Sequence, residues 1–186
     1  MAVVVAFGQG QHSVDVVPAI YVGQHRSKVP LYDIPHPDNR WLRTSPEAHQ
    51  RFFRDANERT GRRLQRIVQL LKHWLHSRAK PIALQSFHIE MVLAKVGSGA
   101  MPGSYSYHLM NAFRTLSMRK GAALQDPLGI SGFIPAVKSD AKREAVAKAL
   151  KYAADHAVAA FSAEEQGDTQ EAIRQWQIVF NDHFPK

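Results

Sequence analysis

Val14-Asp15-Val16-Val17-Pro18-Ala19-Ile20 is the stretch on which the reading of this chain turns. Its β-branched residues favour extended backbone, and a strand this apolar is ordinarily buried on at least one face. A carboxylate placed there costs several kcal/mol, on the order of one ion's desolvation, unless a cation compensates it. That cation is either an Arg or Lys in a structural ion pair or a bound metal. Just upstream, Ala2-Val3-Val4-Val5-Ala6-Phe7 reads as a second strand, and Gly8-Gln9-Gly10-Gln11 as the turn between the two. The predicted unit is a hairpin that presents Asp15 at the edge of a cleft.

Bulk properties narrow the rest. The chain has 186 residues, enough for one domain or somewhat more, and 45% hydrophobic content supports a core. With no cysteine, neither disulfides nor thiolate metal sites hold the fold. No apolar run approaches the roughly 20 residues of a membrane span, and the N-terminus lacks the pattern of a signal peptide, so no membrane partner and a cytoplasmic location are expected. The net charge of +8, from 24 Lys and Arg against 16 Asp and Glu, favours anionic partners such as nucleotides, nucleic acid or acidic proteins. The excess concentrates between residues 51 and 80. There Arg51, Arg54, Arg59, Arg62, Arg63, Arg66, Lys72, Arg78 and Lys80 face only Asp55 and Glu58. A solvated helix face accounts for much of such a run.

After thirty-odd β-like residues and the loop Tyr32 to Asn39, whose prolines block a helix, the pattern turns helical. Ser45-Pro46-Glu47 is a helix start. The helical segment runs to about Ser77 with a possible break at Gly61, beyond which Leu64, Ile67, Val68, Leu71 and Leu75 make one apolar stripe. Further helices are predicted from Ser86 to Val96, from Ser106 to Lys120 and, Ala-rich, from Ser139 to about Phe161. A last helix is capped by Asp168, with Glu171 at capping-box spacing. Asp126-Pro127-Leu128-Gly129 reads as a turn. Trp41, Trp74 and Trp176 read as core residues. The expected architecture is α+β: a β-rich segment over residues 1–40 followed by a mainly α-helical bundle of about five helices over 41–186.

Several motifs occur in one order: Ser13-Val14-Asp15-Val16-Val17-Pro18-Ala19, Trp41 ahead of Thr44-Ser45-Pro46, Asn57, Leu70-Leu71-Lys72-His73-Trp74, Gln85-Ser86-Phe87-His88-Ile89-Glu90, Asp126-Pro127, then Trp176, Phe180 and Phe184-Pro185. Each motif is weak alone, but the ordered series resembles the nucleotidyltransferases of the oligoadenylate synthase and cyclic GMP-AMP synthase kind. It is most similar to the bacterial cyclic-oligonucleotide synthases of anti-phage signalling, and the likeness spans nearly the whole chain. The resemblance implies metal-dependent phosphodiester formation from nucleoside triphosphates such as ATP. In such enzymes a small sheet carries three carboxylates that hold two Mg2+ (or Mn2+) ions, which activate a ribose hydroxyl and stabilise the leaving pyrophosphate.

On that resemblance Asp15 is the third carboxylate, Lys72 and Ser86 contact the donor triphosphate, and Tyr105 or Tyr107 stacks on a base. Asn57 is a further nucleotide-binding candidate. The residues themselves admit plainer roles. Asp15 fits a structural ion pair, Lys72 a stem snorkelling beside an apolar stripe, Ser86 a helix cap that doubles as a phosphate site, and Asn57 a half-buried amide in need of a partner. Glu90 fits a brace for Lys72 or a partner for Lys95. His73 and His76 are expected to be exposed. The Gly-Ser turn and closely spaced acidic pair of this family are absent from the chain. It is therefore expected to be the C-terminal portion of such an enzyme, catalytically incompetent alone. The alternative is a non-catalytic basic module that binds nucleic acid or serves as regulatory partner of a catalytic chain. An exposed sheet edge would favour homo-oligomers.

Overall fold

A computed structural model describes residues 3–7, 12–26, 28–36, 38–78 and 80–183, and of Val3, Phe7, His12 and Ser13 only the backbone. The predicted turn at residues 8–11, and Phe184 and Pro185, lie outside the described residues. The chain divides into two compact units, residues 1–51 with 128–132, and residues 52–127 with 133–186.

The first unit is β-rich. Strands β1 (Val3–Phe7) and β2 (His12–Val16) pair antiparallel, with Val4 opposite Asp15, as the predicted hairpin requires. The apolar run does not continue as one strand, because Val17, Pro18 and Ala19 interrupt it, proline having no N–H to donate. Strands β3 (Ile20–Gln24), β4 (Pro30–Pro35) and β5 (Trp41–Thr44) form a separate antiparallel sheet in the order β3-β4-β5. The β-rich region thus runs on to Thr44 rather than stopping at residue 40. A register shift between Tyr21 and Gly23 bulges β3, and Gly23 sits there at φ +125°, open only to a residue without a Cβ. Across β4 and β5, Arg43 grips Asp33 with two bonds of 2.9 and 3.1 Å.

Helix α1 (Pro46–Arg59) starts at Ser45 as predicted. The Ser45 hydroxyl accepts from the Ala48 N–H at 3.4 Å and donates to the Pro30 carbonyl at 2.6 Å, tying the helix start to β4. The break at Gly61 is real: Gly61 and Arg62 adopt φ +60° and +65°, and α2 (Arg63–His76) follows.

The second unit holds the core. Leu64, Ile67, Val68, Leu71 and Leu75 are buried as the stripe predicts, and Trp74 is fully buried, edge-on to Phe113 at 5.2 Å between ring centres. Helices α3 (Ser86–Lys95) and α4 (Tyr105–Met118) match expectation within two residues at each end. Ser104 caps α4, accepting from the Tyr107 N–H at 3.1 Å. The predicted turn at Asp126 joins two short strands that the sequence did not reveal, β6 (Leu124–Gln125) and β7 (Phe133–Ile134). A 3-10 turn at Asp140–Lys142 leads into the Ala-rich α5 (Arg143–Glu165), which packs against both α4 and α6 (Thr169–Phe180). The bundle therefore has six helices, among the described residues, rather than about five. The Asp168 side chain caps α6 by accepting from the Glu171 N–H at 3.0 Å. No helix is long and apolar enough to cross a membrane among the described residues.

Candidate functional site

Lys72 and Ser86 come from two helices that face each other. α2 and α3 present side chains every fourth residue, so Lys72 and His76 share one face of α2, and Ser86 and Glu90 one face of α3. Lys72 and Glu90 form an ion pair, which settles the brace predicted for Glu90. The Lys72 head is therefore held between the helices instead of snorkelling freely.

Ser86 is not the cap of α3. Gln85 takes that place, its side chain makes no capping bond, and Ser86 is the first helical residue, exposed. The helix start is fixed from elsewhere. The Gln85 N–H donates to the Ala136 carbonyl at 2.8 Å, and His88 donates from Nδ1 to the Ile134 carbonyl at 3.1 Å. Burial drives the pKa of His88 down. Gln85 supplies no side-chain cap, and the start of a helix is an electrostatic setting suited to an anion.

A cavity of about 380 Å³ opens at that point, lined by His76, Ser86, Lys138 and Lys142 together with apolar residues of 75–84. Lys138 and Lys142 went unnoticed in the sequence. Their signal was the four-residue spacing just ahead of the Ala-rich helix, hidden because that third of the chain is close to neutral overall.

The other candidates fall out differently. Asn57 is buried and its amide is spent on Gln65: Oδ1 accepts from the Gln65 N–H at 2.8 Å and Nδ2 donates to the Gln65 side chain at 3.4 Å. It clasps the α1–α2 break and meets its need for a partner there. Of the two tyrosines, Tyr105 is the exposed one, its hydroxyl accepting from Arg66 at 3.3 Å. Tyr107 packs on the core, 5.6 Å from Phe161 between ring centres. Gly103 makes that packing possible, because a Cβ there would lie 2.6 Å from the Tyr107 ring. A base therefore has an open ring to stack on at Tyr105 and not at Tyr107.

Asp15 belongs to the first unit, and the premise that singled it out does not hold. Its strand is exposed on both faces, with Val14 and Val16 each about half open, and Asp15 is exposed too. No buried charge has to be compensated, and among the described residues no cation pairs with it. Arg–carboxylate pairs in this unit are made instead by Asp33 with Arg43 and Asp38 with Arg40, and the bonds from Arg43 hold the Asp33 carboxyl below its usual pKa. Trp41, read as core, is likewise exposed, whereas Trp74 and Trp176 are buried. His73 and His76 are exposed as expected. Among the described residues no group of three or more His, Asp or Glu side chains is placed to hold a metal ion, so one Asp does not by itself fit a two-metal centre.

No family model matches the chain. A Bacillus cereus (strain VD146) protein named "Probable cyclic nucleotide synthase" is 24% identical over 172 residues, which cover 92% of this chain and 51% of that protein. The chain thus spans about half the length of the curated relative it matches. Among solved structures, CdnC of E. coli MS115-1 with ATP matches at a TM-score of 0.76 and 22% identity, over 100% of this chain and 64% of CdnC. The CdnC complex with HORMA-deltaN gives 0.72 over the same shares. The Vibrio cholerae DncV cyclic AMP-GMP synthase, with the linear intermediate 5' pppA(3',5')pG, gives 0.68 at 14% identity, over 94% of this chain and 49% of DncV. The chain shares the α+β fold of CdnC along its length and that of DncV over 94% of it, and it is similar in sequence to a probable cyclic nucleotide synthase, in line with its motif order.

Proposed function

We propose that the chain is part of a nucleotidyltransferase that joins nucleoside triphosphates into a cyclic or linear oligonucleotide second messenger, with the second unit gripping the donor's phosphates. The observation that carries this reading is the Lys72–Glu90 pair that joins α2 to α3, with Glu90 one helical turn along α3 from Ser86. A phosphate that takes the place of Glu90 on Lys72 gains a charge-assisted hydrogen bond to a lysine already held in position. The likeness to CdnC, solved with ATP, and to DncV, solved with a linear dinucleotide intermediate, supports the substrate class. Tyr105 offers its ring to a base.

Dependence on Mg2+ or Mn2+ is part of the proposal. Asp15 then supplies one carboxylate, and the acidic pair that completes the centre comes from outside these 186 residues, so this polypeptide alone is inactive. A cytoplasmic, anti-phage role and a regulatory protein partner follow from the same reading; CdnC, for its part, is known in complex with HORMA-deltaN.

The test is incubation with labelled nucleoside triphosphates and Mg2+ or Mn2+, for this chain and for one extended by a Gly-Ser turn and an acidic strand. Product from the extended chain only, lost in Asp15→Asn and strongly reduced in Lys72→Ala, is expected. A second reading rests on Arg59, Arg62 and Arg66, which are exposed around the α1–α2 break. If neither chain yields product while both bind RNA with a steep salt dependence, a nucleic-acid-binding module is the better description.

A further inference from the structure

The cavity beside Ser86 is lined by two lysines, Lys138 and Lys142. Val137 and Ala136 are buried, and the chain turns outward immediately after them, delivering Lys138 to the cavity wall. Lys142 reaches the same wall from the end of the 3-10 turn, whose closing bond runs from its own N–H to the Ser139 carbonyl at 3.1 Å. The one carboxylate of this segment, Asp140, is taken by Arg143 at 2.6 Å. Neither lysine is ion-paired among the described residues. Lys72 of α2 is not among the cavity's lining residues and is paired with Glu90. The uncompensated cations at this spot are therefore the two that the resemblance does not assign.

We propose that Lys138 and Lys142 are phosphate ligands, converging with Ser86 on a polyphosphate chain seated in this cavity. This deepens the nucleotide-binding reading above and rests on it for the identity of the physiological ligand. The physical argument needs only the anion. Two like charges held within one concavity repel each other until a multivalent anion bridges them, and field lines concentrate in a recess with apolar walls, here Leu75, Ile82 and Leu84. A volume of about 380 Å³ lies at the small end of ligand pockets, which suits a di- or triphosphate better than a macromolecule.

Calorimetric titration with inorganic tripolyphosphate separates this proposal from the wider one, because the probe has no base or ribose. The variant Lys138→Ala/Lys142→Ala is expected to weaken tripolyphosphate binding by at least about tenfold, the scale of losing two charged hydrogen bonds, and to flatten the dependence of affinity on salt. The variant Lys95→Ala/Lys151→Ala removes the same net charge from exposed sites elsewhere and is expected to stay within about twofold of the parent. Lys138→Arg/Lys142→Arg should bind, which excludes a collapsed fold as the cause of loss. Equal weakening in both alanine variants, or none in the first, overturns the proposal. If tripolyphosphate binds through the two lysines but ATP does not displace it, the cavity stands and the nucleotidyltransferase reading falls. If ATP binds while tripolyphosphate does not, the lysine assignment falls and the wider reading survives.

Discussion

The two units of this chain treat apolar residues in opposite ways. In the helical unit the stripe of α2 closes on α3 and α4, and Trp74, Phe113 and Leu150 are all but sealed from water. In the β-rich unit Val4, Val14, Val16, Ile20, Tyr21 and Trp41 each leave half or more of their surface open, and among its described residues only Val29 and Ala48 are buried hydrophobics. Helix periodicity names a face, and a chain that folds several helices together covers that face itself. A strand's pattern says that a partner surface is wanted without saying whether this chain holds it.

The sharpest way to break this contrast is to remove a large side chain from the sealed unit. Trp74→Ala is expected to cost about 3–5 kcal/mol, read from urea or thermal unfolding; a loss below about 1 kcal/mol would mean that the helical core is far looser than described. Ser45→Ala tests the β-rich unit through a polar joint. Loss of both the cap and the bond to Pro30 should cost about 1 kcal/mol in the same assay.

Acid sharpens the comparison next, in two windows. Burial depresses the pKa of His88, so the folded state binds its proton less readily than the unfolded chain. That contribution to stability is whole above about pH 6.5 and falls away as the pH drops below it; His88→Gln should flatten the melting-temperature profile from pH 6.5 downward. Arg174 and Gln175 pull the Glu171 carboxyl from 4.5 to about 2. Its contribution is present above about pH 4.5 and is lost as the pH falls toward 2, a small effect at an exposed pair, removed in Glu171→Gln. Smallest of all is Val14→Thr, expected within about 0.5 kcal/mol because half of its surface is open among the described residues. A loss above 1 kcal/mol would place that strand in a core.

Much of this organisation was legible. The hairpin, the Ser45 and Asp168 caps, the break at Gly61 and the stripe of α2 each follow from rules that operate within a few residues. The brace between Glu90 and Lys72 follows from the opposite charges of two helices that pack together. What escaped depends on segments distant in sequence. β6 and β7 are two residues long and have no periodicity to read. Lys138 and Lys142 gain meaning only because Gln85 and His88 are bonded to the strand segment before them. Asp15 drew attention for a burial that its strand does not experience, and Asn57 found its partner eight residues on, across a break whose geometry no periodicity predicts.

Gly103 has a consequence for anyone who would re-engineer the chain. It carries no left-handed angle, so a codon table suggests many acceptable replacements, yet the first carbon of any of them would collide with an aromatic ring four residues downstream. Randomising that codon and recovering well-behaved clones should return glycine almost exclusively, while the neighbouring exposed Met101 tolerates a wide alphabet.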